Sequence, residues 1–158
     1  MRVMRWVLAA AFLFAAAAAA GERSGVDLGL GGFFNDYGQD GFGRLEVYFG
    51  LGPYITLGPE LVMSTQETMW WATVGGQLRG YFANRDKKVY LPYVMVAFGS
   101  GFTPAGGGSG TELWAGAGLD YNNPRSKFTP YADLGWMRVR DAGIDGFYAE
   151  IGCRLGAF

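Results

Sequence analysis

The sequence contains no histidine and only one cysteine, Cys153, among its 158 residues. Hydrolysis or acyl transfer that depends on a histidine base is therefore excluded, and a metal site built from histidine and cysteine has no support. A single cysteine cannot form an internal disulfide. Because Cys153 stands in an alternating apolar pattern, we expect a small residue on an apolar outer surface and not a reactive thiol.

Lysine is almost as scarce, and acidic residues slightly outnumber basic ones. The three lysines are Lys87, Lys88 and Lys127, and all lie in or beside stretches that we predict to be turns. Without residues 1–20, which contain two arginines, 11 basic and 14 acidic residues remain, for a net charge of −3. This balance gives no positive surface for nucleic acid, and the remaining length fits one domain.

Long apolar runs are absent except at the amino terminus. Residues 1–5 are short and basic, residues 6–14 are apolar, and an alanine run ends at Ala20. The pattern is typical of a secretory signal that is cleaved after small residues. A membrane anchor helix is the alternative, but its apolar core would be too short. We therefore expect residues 1–20 to be a cleaved signal peptide and residues 21–158 to form the folded domain.

The rest of the chain alternates between apolar residues and small or polar ones, with turn-rich breaks between the segments. A period of two indicates β-strands, and we count eight of them. Their predicted apolar faces, in chain order, are Val26, Leu28 and Leu30; Leu45, Val47 and Phe49; Ile55, Leu57 and Leu61; Trp70, Ala72, Val74, Leu78 and Phe82; Leu91, Tyr93, Met95 and Ala97; Leu113, Ala115, Ala117, Leu119 and Tyr121; Phe128, Ala132, Leu134 and Trp136; and Phe147, Ala149, Ile151, Cys153, Leu155 and Ala157.

Alternation alone does not say which face points into a barrel. A soluble lipocalin-like carrier of a hydrophobic ligand has the same period with its apolar residues inside. The lysines favour the opposite arrangement, because they avoid the strands, whereas the exterior of a soluble barrel normally carries many charges. Eight strands enclose a space only just wide enough for side chains, and small residues crowd the polar face: Gly29, Gly31, Gly75, Gly116, Gly118, Gly135 and Gly152.

Aromatic residues near the predicted strand ends support the same arrangement. Such residues form the interfacial girdles of membrane barrels, and here they are Phe34, Trp70, Phe82, Tyr121, Phe128 and Trp136. We predict an all-β protein, an eight-stranded antiparallel up-and-down transmembrane β-barrel. Its periplasmic turns would lie at 51–52, 84–88 and 122–126, and its outer loops, longer on average, at 35–42, 64–68, 100–110 and 139–146. Pro59 lacks a ladder donor, which predicts a bulge or a locally unpaired edge.

The chain resembles the family of small outer-membrane β-barrels that includes opacity-type and OmpX-type porin-like proteins. The resemblance covers the whole chain after residue 20. It rests on residues 54–61 (YITLGPEL), 79–82 (RGYF), 91–93 (LPY), 116–120 (GAGLD), 130–135 (PYADLG) and the terminal Phe158. It implies export to the outer membrane, contact with outer-membrane lipid, and a terminal strand that is read by the barrel-assembly machinery. Gly156 stands where a bulky residue is usual, which predicts a bulge at the strand end.

Strand parity places ten charged residues on the inward face, seven carboxylates and three guanidinium groups. They are Asp27, Arg44, Glu46, Glu60, Arg79, Glu112, Asp120, Asp133, Glu150 and Arg154. Buried charge persists only when it is paired, hydrated or neutralised. A structural network of salt bridges is the first interpretation, and a weakly cation-selective path or metal-ion site is the second.

No catalytic or cofactor-binding residue is apparent. The serines in the predicted loops lack a base partner, and the run at 106–110 (GGGSG) lacks the lysine and helix of a phosphate-binding loop. We expect no enzyme activity and no cofactor, and a monomer whose first role is structural or envelope-stabilising. A narrow ion or solute conduit is the runner-up, and a surface adhesin and the soluble carrier are the remaining alternatives.

Overall fold

Eight antiparallel strands form a closed barrel, as the alternation predicts. The computed structural model describes residues 24–35, 38–64, 71–102, 110–123, 126–139 and 144–156. The predicted signal peptide, Trp70 and Phe158 lie outside these residues. No helix in the described part of the chain is long and apolar enough to cross a membrane. The strands are β1 (Ser24–Asn35), β2 (Gly38–Gly50), β3 (Ile55–Ser64), β4 (Ala72–Tyr81), β5 (Tyr90–Phe102), β6 (Gly110–Tyr121), β7 (Phe128–Val139) and β8 (Ile144–Gly156).

Each strand pairs with its neighbours in sequence, and β1 pairs with β8 to close the sheet. The closing ladder runs from Gly25 opposite Gly156 to Phe34 opposite Phe147. Because the sheet is closed, every strand has a neighbour on both sides. We call the end that carries the connections 51–54, 82–89 and 122–127 the turn end, and the opposite end the loop end.

The prediction of the first outer loop at 35–42 is wrong, because strand pairing continues through most of this stretch. Phe33 pairs with Asp40 and Asn35 pairs with Gly38, so the connection shrinks to residues 36–37. The glycine-rich stretch 38–43 has little apolar alternation of its own and pairs because β1 lies beside it. The expectation of longer outer loops is also wrong, since the loop-end connections 36–37, 65–71, 103–109 and 140–143 are not longer on average than those of the turn end.

Pro59 interrupts a ladder without shifting it. Between β2 and β3, Glu46 pairs with Glu60 and Phe49 pairs with Leu57, with no pairing between these two positions. The register is the same on both sides of the gap, so the second alternative, a locally unpaired edge, is confirmed and no bulge forms. Proline has no N–H to donate, which explains the gap. The strand-end bulge predicted near Gly156 is likewise absent from the described residues, because the register with β1 is constant up to that residue.

In seven of the eight strands, the described residues of the predicted apolar face lie on the outward side by alternation, although Val47 and Ala72 are buried there. Trp70 and Ala157, which were also predicted for these faces, lie outside the described residues. The fifth strand is the exception, and its prediction is wrong: Leu91, Tyr93, Met95 and Ala97 are buried inside the barrel, and the exterior of β5 is formed by Val94, Val96, Phe98 and their neighbours of the same parity. Both faces of this strand are apolar, so its alternation does not distinguish inside from outside.

Candidate functional site

The interior of the barrel brings together the ten charged residues singled out in the sequence. Each is at most 4 % exposed. Inward-facing positions alternate along a strand, and the pairing of neighbouring strands sets these residues side by side, as with Asp27 opposite both Glu46 and Arg154. Charges in such a place must be compensated within the barrel.

Asp27 is the centre of the first group of ion pairs, near the turn end. Arg154 Nε donates to Asp27 Oδ1 at 2.8 Å and Arg154 Nη2 donates to Asp27 Oδ2 at 3.0 Å. The third guanidinium nitrogen, Arg154 Nη1, pairs with Asp120 and donates to the Tyr81 hydroxyl at 2.6 Å. Arg154 therefore has partners for all of its guanidinium nitrogens.

Arg79 extends this group towards the middle of the barrel. It pairs with Asp27 and, through Nη2, with Glu46 Oε2 at 2.6 Å. In the amide orientation that gives both ends of Gln77 a partner, its oxygen accepts from Arg79 Nε at 2.8 Å and its nitrogen donates to Glu46 at 2.9 Å and Glu60 at 3.2 Å. Two arginines and three carboxylates thus form one connected network: Asp27, Glu46, Arg79, Asp120 and Arg154.

Arg44 forms a second group with carboxylates on the far side of β1. Its Nη2 lies 2.8 Å from Glu150 Oε1 and 3.3 Å from Asp133 Oδ2. These two carboxylates face each other across the β7–β8 ladder, and like charges in that position repel. A shared guanidinium offsets the repulsion. The reach is possible because Gly29, which pairs with Arg44 on β1, has no side chain in the way.

Tyrosine rings complete the second group and pack over interior glycines. The Tyr131 hydroxyl donates to Glu150 Oε1 at 2.6 Å, and the Tyr93 hydroxyl donates to Asp133 Oδ2 at 2.9 Å. A β-carbon added to Gly152 would collide with the Tyr131 ring, and one added to Gly118 would collide with Tyr93. The glycines of the polar face therefore make room for aromatic rings.

Glu60 and Glu112 differ from the other carboxylates, because no arginine among the described residues forms an ion pair with either. Glu60 has Gln77 as its neighbour, and Glu112 accepts from Trp114 Nε1. Nor do the described residues form any cluster of three or more histidine, cysteine or acidic side chains suited to a metal ion. The interior thus has a surplus of acid without a metal-binding arrangement.

Aromatic side chains fill the interior towards the loop end. The ring centroids of Phe42 and Trp114 are 5.2 Å apart, and those of Trp114 and Tyr148 are 4.9 Å apart. Edge-to-face packing of this kind is favourable beyond the area that it buries. Phe33 and Trp71 are buried in the same core. We call Phe33, Phe42, Trp71, Trp114 and Tyr148 the aromatic cluster.

The turn end is closed by Arg85, a residue of the connection between β4 and β5. Its guanidinium lies 4.9 Å from the Tyr81 ring centre and 5.8 Å from that of Tyr48, distances typical of cation–π contacts. Burial lowers the pKa of Arg85, yet an arginine stays charged at neutral pH. Among the described residues, the interior therefore holds four guanidinium groups and seven carboxylates.

Parity could have identified the interior aromatics that the sequence analysis missed. Phe42, Tyr81, Trp114, Tyr131 and Tyr148 each stand two residues from one of the ten charged residues. Residues two apart on a strand face the same side. Arg85 gave no such signal, because it lies in a turn.

The exterior has the opposite character. Leu30, Leu134 and Ile151 are 67–69 % exposed and belong to an apolar belt around the barrel. Cys153 lies half-buried on this outer face, between Ile151 and Leu155 on the same strand. The arrangement is the reverse of a soluble lipocalin-like carrier, in which the apolar residues face inward.

Comparison with solved structures finds small outer-membrane barrels of the same fold. The protein is similar to Neisserial surface protein A, with a TM-score of 0.62, 10 % identity, and coverage of 84 % of this chain and 95 % of that one. The N-terminal β-barrel domain of Pseudomonas aeruginosa OprF gives a TM-score of 0.65, 13 % identity, and coverage of 85 % and 96 %.

A de novo designed transmembrane β-barrel is also similar, with a TM-score of 0.53, 14 % identity, and coverage of 86 % of this chain and 98 % of that one. No protein-family model matches the chain, and no curated protein matches it in sequence. At these low identities the likeness concerns the fold: the chain has the closed eight-stranded barrel of small outer-membrane proteins.

Proposed function

We propose that the protein is an outer-membrane barrel without enzymatic activity, which serves as a structural element of the envelope. The observation that carries this proposal is the distribution of polarity, with an apolar belt outside and a packed, ion-paired interior. In water, such an exterior would be a large exposed apolar surface, which soluble monomers avoid. In a bilayer, it is the face that lipid requires.

Export through a cleaved signal peptide belongs to the same proposal. Residues 1–20 have the charge and apolar pattern of a secretory signal. Assembly by the barrel-assembly machinery, with Phe158 as part of the terminal signal, is the expected route to the membrane. The protein would act there as a monomer, since the closed sheet leaves no strand edge to pair with a second chain.

A packed interior argues for a structural role over transport. Large side chains fill both halves of the barrel, the ion-pair networks towards the turn end and the aromatic cluster towards the loop end. Water and ions need a hydrated path, and an eight-stranded barrel leaves little space once its interior is filled. The short loop-end connections 36–37 and 140–143 also offer little surface for adhesion.

One observation favours the runner-up, a narrow cation conduit. Glu60 and Glu112 are buried, and no arginine in the described part of the chain pairs with them. Carboxylates without a basic partner in a hydrated interior would attract cations.

Planar-bilayer recording separates the two functions. A structural barrel gives no resolvable current, whether wild type or with Glu112→Gln. Cation-selective steps that disappear in Glu112→Gln would replace the structural proposal with the conduit. In cells that lack the protein, entry of a hydrophobic dye should rise, and the wild-type chain should restore the barrier.

A further inference from the structure

The turn end carries an exposed group of lysines beside aromatic side chains. Lys87 and Lys88 belong to the connection 82–89, and Lys127 belongs to the connection 122–127. All three side chains are exposed. Among the described residues, none of the three ammonium groups pairs with a carboxylate, although Asp86 lies in the first of these turns. We call Lys87, Lys88 and Lys127 the lysine patch.

The two connections are held together by the buried Asn122. Its side-chain nitrogen donates to the Arg85 carbonyl at 2.8 Å, and its backbone N–H donates to the Val89 carbonyl at 2.7 Å. Within the first connection, the N–H groups of Lys87 and Lys88 both donate to the Asn84 carbonyl at 3.1 Å. Lys87 and Lys88 are thus carried on a hydrogen-bonded turn.

Exposed aromatics place the lysine patch at a defined depth. Phe82 and Tyr90, at the two ends of the first connection, are 72 % and 63 % exposed. Phe128 directly follows Lys127 and is also exposed. Aromatic belts mark the level where hydrocarbon meets headgroups, so cations just beyond them lie at the level of the phosphates.

The described residues of the loop end do not share this charge. Its described exposed ion pair, Arg138 with Asp145 at 3.5 Å, is neutral as a whole. Among the described residues, the exposed lysines therefore lie at the turn end, although the protein is net acidic.

We propose that the lysine patch binds the headgroup phosphates of anionic phospholipids in the leaflet that surrounds the turn end. The inference rests on the proposed membrane location. Complementary charge supports the proposal. The attraction of one lysine to an anionic lipid surface raises the binding constant by about fivefold. The aromatics beside it hold the barrel at the depth where headgroups are within reach.

Lipid association measured by spin-label spectroscopy tests the proposal. The barrel is inserted into phosphatidylcholine vesicles that contain a trace of spin-labelled phosphatidylglycerol or spin-labelled phosphatidylcholine, and the immobilised fraction gives the relative affinity. We expect about a fivefold preference for phosphatidylglycerol at the sites beside the patch, which falls as salt rises. The triple variant K87Q/K88Q/K127Q should lose the preference, and the matched control R138Q at the loop end should keep it.

The lipid preference of the wild-type protein, measured at increasing salt concentration, tests the proposal without any variant. Three results would overturn this inference and leave the proposed function untouched. They are an inserted wild-type barrel without a lipid preference, a preference that does not change with salt, and a triple variant that keeps the preference. A protein that does not insert, shown by identical gel mobility with and without boiling, would overturn the proposed function as well.

Discussion

Replacing Arg154 with methionine tests whether the interior ion pairs stabilise the barrel. Arg154 binds Asp27 through two nitrogens and also pairs with Asp120. Without it, Asp120 has no guanidinium partner among the described residues, and Asp27 retains only Arg79. Removal of one member of a buried pair typically costs about 3 to 5 kcal/mol, because the other charge stays buried and uncompensated. We expect the free energy of unfolding to fall by about that amount.

Urea unfolding in lipid vesicles, followed by loss of the fast-migrating folded band, measures the change. The double variant R154M/D120N removes the stranded charge along with the guanidinium, so it should recover part of the lost stability and show coupling between the two positions. The control R138M affects an exposed pair, with side chains 56 % and 51 % exposed, and should cost less than about 1 kcal/mol. If R154M unfolds within the range of R138M, the ion pairs do not stabilise the barrel.

Further predictions concern packing, assembly and the surplus acid. Gly152→Val should lower the free energy of unfolding by about 1 to 3 kcal/mol, because the added side chain collides with the Tyr131 ring inside the barrel. The control Gly76→Ala lies on the outer face, with its nearest neighbour 3.7 Å away, and should change the urea midpoint little. Equal effects of the two substitutions would refute the packing argument. Deletion of Phe158 should reduce the heat-shifting fraction in the membrane, and Cys153→Ala should leave it unchanged; the reverse pattern would refute the assigned roles. Glu112→Gln should not lower the urea midpoint, since no described arginine pairs with Glu112; a drop comparable to that of R154M would indicate that this carboxylate has a cationic partner.

The sidedness of most strands could be predicted because charged residues mark the inner face. Asp27 and Arg154 fix the faces of β1 and β8, and every other residue of those strands follows by alternation. β5 has no charge between Leu91 and Phe102, and its two faces are both apolar. The wrong prediction for this strand therefore reflects missing information in the sequence pattern.

The partners inside the barrel could not be predicted from the sequence. Arg44 reaches Asp133 and Glu150 across β1, a contact set by the length of the side chain and the missing side chain of Gly29. Strand register fixes neighbours within the sheet but does not determine contacts across the interior. Arg85 was missed for a related reason, because a residue in a turn has no face until the turn is built.

Membrane insertion is the central claim, and fractionation followed by gel electrophoresis of unboiled and boiled samples tests it most directly. The apolar belt and closed barrel predict that the protein appears in the outer-membrane fraction and migrates faster before boiling than after it. Recovery in the soluble periplasmic fraction after gentle lysis, with the same mobility before and after boiling, would contradict the account.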